Sequence, residues 1–283
     1  MPSAPSLRRA AVTAVLALTA LAVSACSGSE PVTAPAAALA TTTPASTPAG
    51  SAPAAATTTA SPTASRTAAV ARPLTATLGQ HLRGSRGTYR WDLTYPSFSG
   101  GPAAAEADRR MSATLDTAVA AWADGVTAPG EPASTDPREL TGQAEVTVND
   151  GRTLQVRLGT YHYVQGAAHG ISSTYTLALD VTATPAKPLL LRGLLRDPAA
   201  AYAAFRREVT RQAAADGAVV EGDGVSAKDA NWAAWQSGPK GLTFFFGSYQ
   251  LGAFPAADYT VPWSVARPLL TPDAARLLAA AAS

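Results

Sequence analysis

The chain has 283 residues, 47% hydrophobic and 15% charged, which is apolar enough for a core and too poorly charged for a wholly disordered chain. Its 22 basic residues become 20 (22 − 2) once Arg8 and Arg9 are assigned to a cleaved leader, against 20 acidic ones, so the mature chain lacks the basic footprint of a nucleic-acid binder. A single Cys excludes an intramolecular disulfide, and two Met and three His leave little material for a soft-metal site, so no metal or cofactor is expected.

In chain order, Arg8 and Arg9 form a short positive segment, and an uncharged run follows from Ala10 to Ala25. That run is shorter than the roughly 20 residues of a bilayer-spanning helix and reads as a signal peptide, residues 1–25. Its end, Val23-Ser24-Ala25-Cys26, resembles the bacterial lipobox. The resemblance implies cleavage before Cys26 and a diacylglyceryl thioether on its thiol. Such an anchor would hold the protein at the outer face of the cell membrane. The alternative is a plain secretory signal with a Cys at its cleavage site. Residues 26–72 are almost wholly Ala, Thr, Pro, Ser and Gly, with no charge or aromatic between Glu30 and Arg66. This composition predicts a disordered tether. Its coil-like reach would be roughly 35–40 Å.

All five Trp, eight Tyr and six Phe lie between Tyr89 and Trp263, so the folded domain is placed at residues 73–283. Alternation predicts a strand over Tyr89–Tyr95, ended by Pro96. Met111, Leu115, Val119 and Trp122 share one face of a helix from Pro102 to about Asp124. Thr127–Pro137, with Pro129-Gly130, reads as a loop. Ala144, Val146 and Val148, then Leu154, Val156 and Leu158, predict two strands. Asn149-Asp150-Gly151 joins them as a hairpin turn whose central residues need positive φ. Ser173–Val181 predicts a third strand of this set. Asp197-Pro198 opens a second helix with Tyr202, Phe205 and Val209 inward. Gly217–Lys228 reads as a loop, Leu242–Phe246 and Tyr259–Trp263 as strands, and Pro272–Ala281 as a closing helix. The expected fold is α+β: an antiparallel sheet of hairpin-connected strands with two longer helices packed on it.

The most unusual stretch is Tyr161-His162-Tyr163 running through Gly166-Ala167-Ala168 to His169-Gly170. It combines a strand end with a small-residue turn, in which His169 is a base, a ligand contact or a residue bonded to its own backbone. No carboxylate or His stands at a metal-ligand spacing from it, and the chain has no Gly-x-Ser-x-Gly elbow. Phe244-Phe245-Phe246 reads either as a strand that turns Phe245 outward onto an interaction surface or as one buried on both faces. Trp232 and Trp235 read as core. Among Asp180, Glu208, Glu221, Asp223 and Asp258, no spacing selects a hydrolytic pair.

The folded part resembles the extracytoplasmic domain of the RsiV-type, lysozyme-sensing anti-sigma factors. That domain of largely unknown function also occurs in secreted mycobacterial antigens and ahead of some peptidoglycan deacetylase domains. The likeness rests on Tyr95-Pro96 before a long helix and on Tyr161-His162-Tyr163 leading to Ala168-His169-Gly170. It extends to Tyr175–Asp180, Leu189–Leu195, Gly241–Phe246, Tyr249, Pro255, Val261-Pro262-Trp263 and Leu269. Ala167 stands where the family signature has Gly. Only about nine residues precede the apolar leader run and no deacetylase domain follows, so the resemblance implies the sensing or binding module alone. The expectation is a surface-anchored lipoprotein whose ligand is lysozyme, another wall-associated protein or a wall glycan. Tyr161, Tyr163, His169, Phe245 and Tyr249 are its candidate contact residues. The alternative is a wall-modifying hydrolase or esterase using His169 with a carboxylate such as Asp180.

Overall fold

The computed structural model describes residues 72–124, 136–252 and 255–278. The signal peptide, Cys26, the tether up to residue 71 and the turn at Pro129-Gly130 lie outside the described residues. Within them the fold is α+β. A six-stranded sheet runs in the order β1 (Thr75–Arg86), β2 (Tyr89–Ser99), β3 (Arg138–Asn149), β4 (Thr153–Val164), β5 (Ile171–Asp180) and β6 (Lys187–Pro188). A second sheet contains β7 (Trp235–Gly238), β8 (Gly241–Phe246) and β9 (Ala257–Pro262). The helices are α1 (Ala104–Asp124), α2 (Leu191–Leu194), α3 (Pro198–Ala215), α4 (Trp263–Ala266) and α5 (Pro272–Leu278).

Both long helices form where their periodicity places them. Met111, Leu115, Ala118 and Trp122 of α1 are buried against the large sheet with Leu93, Leu154, Val156 and Leu158. The Asp197 carboxylate caps α3 by accepting from the Ala199 and Ala200 amides, with Pro198 in the first turn. Tyr202, Phe205 and Val209 of α3 are buried with Trp232, Phe244 and Phe246 against the smaller sheet. The helices therefore cover two different sheets. β5 borders both cores, with Leu177 and Leu179 in one and Ala178 in the other.

Three local features differ from the sequence reading. All pairs in the large sheet are antiparallel except β2 and β3, which run parallel because α1 intervenes between them. Pro96 does not end its strand. β2 continues to Ser99, since Pro96 lies beyond the pairing with β3 and opposite the β1 irregularity between Thr77 and Gln80, where no ladder hydrogen bond is lost. The hairpin turn uses positive φ only at Gly151 (78°). Asp150 instead accepts from the Arg152 and Thr153 amides, which closes a longer turn.

Candidate functional site

The turn between β4 and β5 is tied down by two tyrosines of β4. The Tyr163 hydroxyl donates to the Ala167 carbonyl (3.2 Å), and the Tyr161 hydroxyl accepts from the Gly170 amide (2.9 Å). A Cβ on Gly170 would fall 2.3 Å from the Tyr161 ring and 2.4 Å from the His162 carbonyl oxygen, so only glycine fits beneath Tyr161. Within the turn only Gly166 has positive φ (85°), which is why Ala is accommodated at 167. His169 then stands at the head of β5. Its Nδ1 lies 3.2 Å from its neighbour's carbonyl oxygen, and its Nε2 lies 3.1 Å from the Tyr249 hydroxyl.

Tyr249 comes from the turn after β8, 80 positions along the chain. It is 49% exposed and has φ of 66°, the one non-glycine residue with positive φ among the described residues. That conformation costs a non-glycine residue about 1–2 kcal/mol. The turn is fastened to β5 by Ser248, whose amide donates to the Ser172 carbonyl (2.9 Å) and whose hydroxyl accepts from the Ser172 amide (3.0 Å).

From this junction an open groove of about 720 Å³ follows the outer edge of β5. One wall is α1, with Ala113, Thr114 and Thr117; the other is the segment Ala230–Trp235. The far end is closed by Leu189–Arg192. There Tyr202 donates to Asp229 (2.8 Å), and Arg192 pairs with the same carboxylate (3.2 Å). Burial, and then that hydrogen bond, raise the Tyr202 phenol far above its ordinary value, so it acts as a donor.

The structure thus brings Tyr161, Tyr163, His169 and Tyr249 to one end of the domain. Phe245 differs: it is 6% exposed, beneath the Arg157 guanidinium (5.2 Å from the ring centroid), because the smaller sheet packs on the larger there. The reading of Phe245 as an outward-facing aromatic is corrected accordingly. Trp232 and Trp235 are core residues, 0% and 3% exposed. His169 and Asp180 do not converge. They flank opposite ends of β5, about 30 Å apart at ~3.3 Å per residue, and Asp180 caps a turn by accepting from the Thr182 amide and hydroxyl. Among the described residues no cluster of His, Cys, Asp and Glu is placed to hold a metal ion, and no helix is long and apolar enough to cross a membrane. The edge residues Ser172, Thr174 and Thr176 were not singled out from sequence. The signal for them is the polar first half of β5, Ser172-Ser173-Thr174, before its apolar second half.

No protein-family model matches the chain, and no curated protein matches it. Its structural neighbours include a DUF3298-family protein of Bacteroides fragilis NCTC 9343, at 12% identity and a TM-score of 0.47 over 73% of this chain and 98% of that one. A DUF3298-family protein of Pseudomonas aeruginosa PAO1 is similar at 15% identity and a TM-score of 0.45, over 72% and 98% of the two chains. These neighbours belong to a bacterial domain family of unknown function.

Proposed function

We propose that this protein is a lipoprotein anchored through Cys26 at the outer face of the cell membrane, and that its folded domain is an RsiV-like binding module. The lipobox-like end of the leader and the tether, free of charge between Glu30 and Arg66, support the anchoring. The observation that carries the binding reading is the His169–Tyr249 pair. An exposed tyrosine is held in a costly backbone conformation beside a histidine 80 positions away. Strain of this kind persists where the surrounding structure fixes it and concentrates at functional sites. The ligand we assign is a lysozyme-like protein, with wall glycan as the alternative.

The test is calorimetric titration of the lipid-free chain from Ser27 onward with a c-type lysozyme. A dissociation constant of about micromolar or tighter, near −8 kcal/mol, weakened in His169→Ala, is the expected result. No heat at high micromolar concentration would remove lysozyme as the ligand. Anchoring is tested separately, by fractionating cells that express Cys26→Ala; a variant retained in the membrane fraction would overturn it.

A further inference from the structure

We propose that the free edge of β5 is a slot for an extended, uncharged polypeptide segment of a partner, which enters as an added strand. The inference rests on the reading of the domain as a binding module and adds the chemistry of what is bound. In an antiparallel sheet the main-chain groups of alternate residues point to alternate neighbours. Ser172 and Ala178 point away from β4. The first exchanges hydrogen bonds with Ser248, and the second accepts from the Leu189 amide (2.8 Å). The same alternation turns the N–H and C=O of Thr174 and Thr176 outward. β6 pairs only with Leu179 and Asp180, so these four groups have no main-chain partner among the described residues. The edge is bracketed at both ends and open between them, over about 20 Å at ~3.3 Å per residue.

The groove walls select the occupant. Open strand edges are ordinarily blocked by charge, proline or a covering element. Here the lining is uncharged for the most part, with Thr, Ala and Leu beside Asn231, Gln250 and several aromatic rings, and the nearest charges are already compensated, Arg110 by Glu106 and Arg192 by Asp229. A charged segment would gain no partner, whereas an uncharged one would satisfy the open groups with about four main-chain hydrogen bonds. Leu190, 71% exposed at the closed end, offers an apolar contact beyond the strand. A sugar is served poorly, because Trp232, Trp235 and Phe245 beside the groove are nearly buried and Tyr175 is half-buried, so no fully open ring face is offered for stacking among these residues.

The experiment begins with a random dodecapeptide library on phage, selected against the lipid-free chain from Ser27 onward. Synthetic copies of the selected peptides are then titrated against wild type, Thr174→Pro and Thr174→Val. The Thr174 amide points away from β4, so proline deletes only an outward donor. Thermal melts confirm that both variants fold. The expected result is binding that falls roughly tenfold or more in Thr174→Pro and less than about threefold in Thr174→Val. Amide exchange at Thr174 and Thr176 should slow in the complex. An independent arm leaves the protein unaltered: N-methylation at alternate peptide positions should abolish binding in one phase and spare it in the other, since only one edge of the peptide pairs. No selected peptide, or peptides indifferent to Thr174→Pro and to N-methylation phase, would overturn the slot. So would a soluble wall-glycan fragment that protects the same amides when no peptide does. Lysozyme bound equally by wild type and Thr174→Pro while no peptide binds would overturn the slot and keep the binding module. Peptides bound in the stated pattern without lysozyme binding would support the slot.

Discussion

At the scale of single residues, three backbone positions and one imidazole give distinct expectations. Tyr249 is held at φ 66°, where glycine sits without cost. Tyr249→Gly should therefore melt higher than Tyr249→Ala, by about 1 kcal/mol, although both lose the His169 contact; equal stabilities would show that the conformation relaxes. Gly170→Ala forces a Cβ into the Tyr161 ring and should destabilise by on the order of 2 kcal/mol. Gly159→Ala, on the exposed side of the neighbouring strand with no atom within 4 Å of the new Cβ, should stabilise by about 0.5 kcal/mol. Chemical denaturation of the two variants checks the contrast. Burial, and then the charge of Arg138, hold the His162 imidazole below its ordinary 6.5. The unfolded chain then binds that proton more readily than the folded one, so stability falls as pH drops through 6.5 and is fully present above it. Asp92, Glu106 and Glu208 are held low by hydrogen bonds from His81, Arg110 and Arg211, and their contributions are lost only in more acid solution. The urea midpoint should be lower at about pH 5.5 than at about pH 7.5, and His162→Gln should flatten that difference. A variant with the wild-type slope would assign the dependence elsewhere.

At the scale of elements, the two sheets are joined by a buried polar pair. Gln155 of β4 donates to the Ser237 hydroxyl (2.5 Å) and accepts from the Ser237 amide (2.8 Å) of β7. Gln155→Leu would leave that amide buried without a partner and should cost about 1–3 kcal/mol; a smaller loss in equilibrium denaturation would mean that water replaces the side chain. Sequence legibility follows the same physics. α1, α3 and the β3–β4 hairpin were readable because one face of each meets a core and its periodicity is clean. β1 was missed because it is an edge strand, mostly exposed, whose Thr, Gln, His and Arg residues show no apolar alternation. β7 has four residues, too few to display a period, and although it pairs with the adjacent β8 through a short hairpin, its Trp235 and Ser237 face inward in a stretch of otherwise polar composition. The turn at Asp150 shows a further limit. The Asx-Gly pair located the hairpin, but the carboxylate's bonds to following amides determined its geometry.

At the scale of the whole molecule, two cores share one wall. β5 places Leu177 and Leu179 in the α1 core and Ala178 in the α3 core, so melting either one exposes a face of the other. Calorimetry should therefore show one transition with matching van't Hoff and calorimetric enthalpies; two resolved peaks would separate the cores. The same sharing explains why only part of the site was legible. His169 and Tyr161 lie in one continuous stretch and stood out in the sequence. The contact with Tyr249 joins β5 to a turn from the other sheet, and the groove is built from outward main-chain groups that every residue possesses. The parallel pairing of β2 with β3 has a kinetic consequence. β3, β4 and β5 follow one another through short turns, whereas Tyr89 must find Arg138, 49 positions on (138 − 89), after α1 has formed. Closing that longer loop costs more chain entropy, and the expectation is that it completes the sheet late, after the meander and after the main folding barrier. Val156→Ala, inside the meander, should slow refolding. Leu93→Ala, at the Gly142 joint, should mainly hasten unfolding. The latest joint to close would then also be the first to open, parting the β1–β2 hairpin from the sheet that carries the groove at its other edge.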